Sequence, residues 1–208
     1  LLEKLMKNKS YKLTKSKIAS GLQCQKKLWF EIHEPLKKTK KALFERGERF
    51  NEVIRKHYTN LHGNELNLEG VWGDLVNKTK NAINSKNINV IYEATFEYLD
   101  TRVRTDVLIR KKNGWELLEA KSSTRLKDEH IPDISIQSFI VRECLKQIGH
   151  NLISCKLIHI NKDFTLENTE DYKDLINDEN DISNKIIEIE KEIPNYIKDL
   201  LPLTEENS

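Results

Sequence analysis

At 208 residues the chain suits one domain with a real hydrophobic core, and its clear apolar runs argue against disorder, although only 38% of it is hydrophobic. Its charged share of 33% is high, yet the net charge is only +2, so bulk composition gives no argument for a nucleic-acid partner. No apolar run approaches the ~18 residues of a membrane span and no signal peptide is visible, so a cytoplasmic setting is the expectation. Cys24, Cys144 and Cys155 lack CxxC spacing, which speaks against a disulfide framework or a structural zinc site.

Leu1 to Tyr11 carry no pattern. From Ser16 to Glu31, Ile18, Leu22, Leu28 and Trp29 fall near helical spacing, and Ser16 can cap, so a helix is predicted ending before Pro35. A second helix is predicted from about Lys40 to Tyr58, then a loop over 60–73 with a short strand near Val71, then a helix over 74–85. The pattern next switches to alternation. NVIYEATFEY (89–98), RVRTDVLIR (102–110) and GWELLEAKS (114–122) read as three consecutive strands joined by hairpin-length turns. Ile134–Ile148 returns to helical spacing, Leu152–Ile160 is a fourth strand, and Asp181–Leu201 is a charged amphipathic helix interrupted by Pro194. The predicted fold is α/β: a mixed central sheet of three consecutive strands, a helix and a fourth strand, flanked by helices.

Two of these strands hold the residues suited to chemistry. Asp106 interrupts an apolar alternation, and Glu119 and Lys121 stand two apart, hence on one face of the next strand. If the strands pair, two carboxylates on rigid elements converge and can bind Mg²⁺, which prefers oxygen ligands. Lys121 beside them can orient or help deprotonate a water and stabilise charge on a phosphate. A chain with 33 acidic residues and many lysines contains several [DE]-x-K triplets by chance, so the weight lies in the strand context. The plainer alternative is charges pairing across an edge hairpin. Glu48 and Glu52, four apart on the second helix, can project a further carboxylate or simply pair with nearby bases; Gln137 and Glu93 are equally open. The first 60 residues are rich in Lys and Arg while the segment after Asp163 is acidic, a basic half that can track phosphates or be a solvated face.

The ordered set LTKSKIASGLQCQKKLWF, the G-x-x-F-N-E run, IYEATF, RTDVLI, ELLEAKSST, DISIQSFIV and LIHINKDF resembles the RecB-like branch of the PD-(D/E)XK nuclease superfamily, and looks closer still to an uncharacterised bacterial family of that fold. The resemblance spans roughly residues 13–200 and implies a restriction-endonuclease-like core over 41–165, after an N-terminal helical segment (1–40) and before an acidic helical extension (166–208). It implies Asp106 and Glu119 as metal-binding carboxylates, Lys121 as the lysine, Glu52 as the helical acid, Gln137 as the glutamine of the following helix, and the Ala120 carbonyl as a further ligand. Asn51 and Val141 depart from the His and Tyr that many relatives carry there. Cys24 matches the first ligand of the iron–sulfur cluster that some relatives hold, but no cysteine follows Cys155, so this chain has no complete four-thiolate set.

The expectation is a Mg²⁺- or Mn²⁺-dependent deoxyribonuclease, with Lys17, Lys26, Lys27 and Arg46 contacting DNA phosphates; no residue pattern tells single- from double-stranded DNA. A C-terminal region beyond Ser208 or a helicase partner would complete a larger machine. The rival is a nuclease-fold module without chemistry, serving DNA binding or protein interaction, and a metal titration separates the two.

Overall fold

The computed structural model describes residues 12–35, 41–128, 130–166 and 172–205, without the side chains of 41–46, 173 and 179. In chain order the elements are β1 (Leu13–Thr14), α1 (Lys15–Gln23), α2 (Gln25–His33), α3 (Lys41–His62), β2 (Glu65–Asn67), α4 (Trp72–Asn84), β3 (Val90–Tyr92), β4 (Thr95–Tyr98), β5 (Thr101–Arg104), β6 (Val107–Lys111), β7 (Gly114–Lys121), α5 (His130–Gln147), β8 (Leu152–Ile160), β9 (Ile176–Asp181) and α6 (Ser183–Leu200).

These form a mixed α/β fold. The main sheet has the order β2-β3-β6-β7-β8-β9, with β2–β3 and β7–β8 parallel and the other pairs antiparallel. A second sheet, β1-β5-β4, joins the N-terminal strand to a hairpin. Alternation splits the core into two clusters. Ile91, Leu108, Leu117 and Leu157 turn to one face, where residues of α1, α4, α5 and α6 pack. Tyr92, Val107, Leu118 and Ile158 turn to the other, under Phe50, Ile54 and Tyr58 of α3.

Two of the three predicted long strands are each divided between the sheets. The first breaks at Glu93, whose φ of 58° lies in the left-handed region, so β3 stays in the main sheet and β4 leaves it. The second breaks at Thr105-Asp106, where the Thr105 N–H donates to the Ala94 carbonyl at 2.9 Å. Continuous β-rich composition hides such a corner, because strands that switch sheets keep their alternation. The β4–β5 hairpin turns on Leu99 and Asp100, with φ of 48° and 53°, the conformation a two-residue hairpin demands.

Other boundaries also differ. The predicted N-terminal helix is two helices, broken where Cys24 is extended (φ −167°) and its N–H returns to the Ser20 carbonyl. The short strand lies at β2 rather than near Val71. α6 continues through Pro194, held by buried Ile186, Ile193, Ile197 and Leu200 on one face. β9, with the sequence INDEND, covers the edge of β8; its polar composition gives no strand signal. Among the described residues no helix is long and apolar enough to cross a membrane.

Gly114 sets how closely β7 approaches the start of β8. A Cβ there would lie 2.5 Å from the Asn151 carbonyl oxygen, whose backbone also accepts the Trp115 N–H at 2.8 Å. Gly114→Ala is therefore expected to lower stability by roughly 1–3 kcal/mol, read as a lower urea midpoint at unchanged slope.

Candidate functional site

β7 alternates Trp115, Leu117, Glu119 and Lys121 towards the α1/α5 face, with Leu118 and Ala120 towards α3. Glu119 is only 3% exposed at the end of this strand. Asp106 sits in the corner between β5 and β6, outside any ladder, and its Oδ2 accepts the Ala120 N–H at 2.7 Å. That single bond docks the Asp106 carboxyl against the peptide following Glu119.

α5 crosses above. Gln137, with no exposed surface, donates from Nε2 to Glu119 Oε2 at 2.7 Å. Asp133, one helical turn earlier, accepts from Lys121 Nζ at 2.6 Å, and Lys121 also reaches Glu119 Oε1 at 2.8 Å. From α1, capped by the Thr14 hydroxyl, Lys15 Nζ donates to the same Glu119 Oε1 at 2.7 Å and to Gln137 Oε1 at 2.8 Å.

The result is a compact charge network with two ammonium groups on one carboxylate. Burial, and then the negative charge of Glu119, push the Asp106 carboxyl up to about 7. Burial works against the Glu119 charge as well, but Lys15 and Lys121 outweigh it and hold that carboxylate down at about 2. Burial likewise opposes the charge on Lys121, yet Glu119 and Asp133 prevail and keep the ammonium protonated well above the ordinary lysine range. Lys121 thus stands as a charged donor between two carboxylates.

Among the described residues, no three His, Cys, Asp or Glu side chains gather as a metal cage. Two carboxylates nonetheless suit Mg²⁺, which is commonly held by one or two of them plus waters and substrate phosphate. Asp106 is docked beside Glu119 through the Ala120 N–H, and burial, then that neighbouring charge, raise its pKa.

The structure thus brings together Asp106, Glu119, Ala120, Lys121 and Gln137. Glu52 stands apart: it is exposed on α3, which packs on the opposite face of the sheet. Glu93 pairs with Arg55 at 3.3 Å and Arg104 at 3.9 Å at the strand corner. Lys17 is tied to the Glu31 carbonyl at 2.7 Å and Lys27 to Gln23 at 2.6 Å, while Lys26 lies over the Phe30 ring. The side chain of Arg46 lies outside the described residues. Cys24 is exposed whereas Cys155 is buried in β8. Sequence reasoning missed Lys15 and Asp133. Asp133 had a readable signal, four residues before Gln137 on one helical face. Lys15 had none, being one of several lysines in its stretch.

No protein-family model matches the sequence, and no curated protein does either. Solved structures do resemble the fold. An alkaline exonuclease from Laribacter hongkongensis superposes with a TM-score of 0.52 at 13% identity, covering 95% of this chain and 92% of that one. A putative exonuclease from Eubacterium rectale gives a TM-score of 0.50 at 9% identity, over 95% of this chain and 84% of that one. At such identities the likeness is one of fold: the mixed α/β architecture of this chain is similar to that of these two structures.

Proposed function

We propose that this chain is a Mg²⁺- or Mn²⁺-dependent nuclease that hydrolyses DNA phosphodiester bonds, of the RecB-like PD-(D/E)XK type. The observation that carries the reading is the convergence of Asp106, Glu119 and Lys121 where β6 begins beside the end of β7, under Gln137. The exonuclease folds it resembles add support at the level of architecture.

In this reading Asp106 and Glu119 hold the ion, with the Ala120 carbonyl as a further ligand. When bound, a divalent ion acts as a Lewis acid on a phosphoryl oxygen and makes its water more acidic. Gln137 fixes the rotamer of Glu119, and the charged Lys121 positions the attacking water by donation and steadies negative charge growing on the phosphate. Asp133 holds Lys121 in place. Lys26 and Lys27, exposed on α2, contribute phosphate contacts with Lys17 and Arg46. Glu52, carried by the opposite face, is left out of the set.

The test is degradation of labelled linear and circular DNA with Mg²⁺ or Mn²⁺, comparing wild type with Glu119→Ala. Metal-dependent cleavage that falls by at least ~10²-fold in the variant is expected. Equal activity in both proteins would sink the site assignment. No cleavage together with no Mn²⁺ binding would leave a non-catalytic binding module, the reading favoured by the two ammonium groups already on Glu119.

A further inference from the structure

We propose that Lys15 occupies the cation place on Glu119 in the metal-free protein, and yields it to a divalent ion to contact a substrate phosphate instead. The inference rests on the metal-site reading above and adds a residue from outside the sheet to it.

Charge balance comes first. Lys15 and Lys121 carry two positive charges and Glu119 and Asp133 two negative ones, all linked within 2.6–3.5 Å. These four charges balance one another without any metal. Both ammonium groups press on one oxygen, Glu119 Oε1, at 2.7 and 2.8 Å. A divalent ion held by Glu119 and Asp106 would meet two ammonium groups already in contact with the same Glu119 oxygen, so one ammonium must withdraw.

Geometry selects which one. Lys121 stands on β7 and has Asp133 as a close second anion at 2.6 Å. Lys15 is 3.5 Å from Asp133, and its other near partner is the neutral amide oxygen of Gln137 at 2.8 Å. Lys15 is the first residue of α1, and its side chain is 20% exposed against 4% for Glu119, so a rotation of its flexible stem carries the ammonium into solvent at the mouth of the site. A strongly hydrated point charge released there is placed to meet a phosphate oxygen. Gln137 keeps its bond to Glu119 Oε2 throughout, so the carboxylate stays oriented while its cation changes. Lys15 is therefore a positioning residue whose partner depends on metal.

Mn²⁺ binding, followed by electron paramagnetic resonance or calorimetry, tests this in wild type, Lys15→Gln and Lys15→Arg. Lys15→Gln is expected to bind Mn²⁺ at least ~10-fold more tightly, and Lys15→Arg close to wild type. Amine acetylation read by mass spectrometry tests it in the wild-type protein alone: Lys15 should be protected without metal and label several-fold faster at saturating Mn²⁺. Unchanged or weaker Mn²⁺ affinity in Lys15→Gln overturns the proposal, and so does a labelling rate that ignores Mn²⁺. Should the wild type bind Mn²⁺ and cleave DNA while either result fails, the nuclease reading stands and only the role of Lys15 falls. Should neither protein bind Mn²⁺, both fall together. If Lys15→Gln does not fold, the labelling of wild type decides the role of Lys15 by itself.

Discussion

Lys121→Met is expected to slow metal-dependent cleavage by roughly 10²–10⁴-fold while the protein still folds and binds Mn²⁺. The substitution keeps most of the apolar stem and removes the charge. Glu119 does not lose its only counter-ion, because Lys15 remains 2.7 Å away, so no uncompensated buried carboxylate results. What disappears is the ammonium that Glu119 and Asp133 hold in its charged form. Two roles can be told apart. A lysine acting as a base would show activity rising with pH through its titration. A lysine kept protonated above the ordinary range gives no such inflection and contributes donation and charge stabilisation alone. Single-turnover rates from pH 6 to 9, with Mn²⁺ affinity measured in parallel, make the distinction. A loss below tenfold in the variant would place Lys121 outside the chemistry and leave it as a counter-charge.

The sheet was legible where strand and helix periods are unambiguous. β8 stands at its predicted position, and β7 falls within the predicted strand, because LISCKLIHI and GWELLEAK are short apolar-rich runs bounded by Gly114, Gly149 and a helix. The corners were not legible. Glu93 and the Thr105-Asp106 step break two strands through backbone conformation, and neither position carries the glycine or proline that usually marks such a break. β9 was hidden for a different reason. An edge strand gains its stability from a neighbour already in place, so INDEND pairs with β8 despite a composition that favours turns.

The same contrast holds at the site. Glu119 and Lys121 follow from strand alternation, and Asp106 from being a charge inside an apolar run, so local pattern suffices for them. The corner that hides the strand break is also what takes Asp106 out of the ladder and frees its carboxyl to meet the Ala120 N–H. Lys15 is remote by 104 residues from Glu119, and only the packing of α1 beside α5 brings it there. Long-range electrostatic partners of this kind leave no period in a sequence. Glu52 shows the converse, since helical spacing made it a plausible ligand but could not say on which face of the sheet its helix would lie.

Asp106 carries the second large expectation, a dependence of stability and metal affinity on pH. Its folded pKa is raised to about 7, by burial and then by Glu119, from an ordinary value of 3.8. The folded protein therefore holds a proton that the unfolded chain has released. The stabilisation from that proton is complete below about 4, declines as pH rises, and is gone above about 7. Glu119 is depressed to about 2, so its own contribution is constant from pH 5 to 8. His62, whose pKa burial lowers, contributes with the opposite sign, but equally in wild type and variant. Asp106→Asn keeps an acceptor for the Ala120 N–H and removes the titration. Between pH 5 and 8 the metal-free wild type should thus lose roughly 2–3 kcal/mol more than the variant, about 4–12 °C in Tm for a chain of this size. Mn²⁺ should reverse the difference, because the ion takes the place of the proton: it should raise the wild-type Tm at pH 8, do so far less at pH 5, and leave Asp106→Asn little changed at either. Parallel melting curves for the two metal-free proteins would remove Asp106 from the buried carboxylate pair. An Asn variant that gains as much from Mn²⁺ as wild type would move the metal elsewhere.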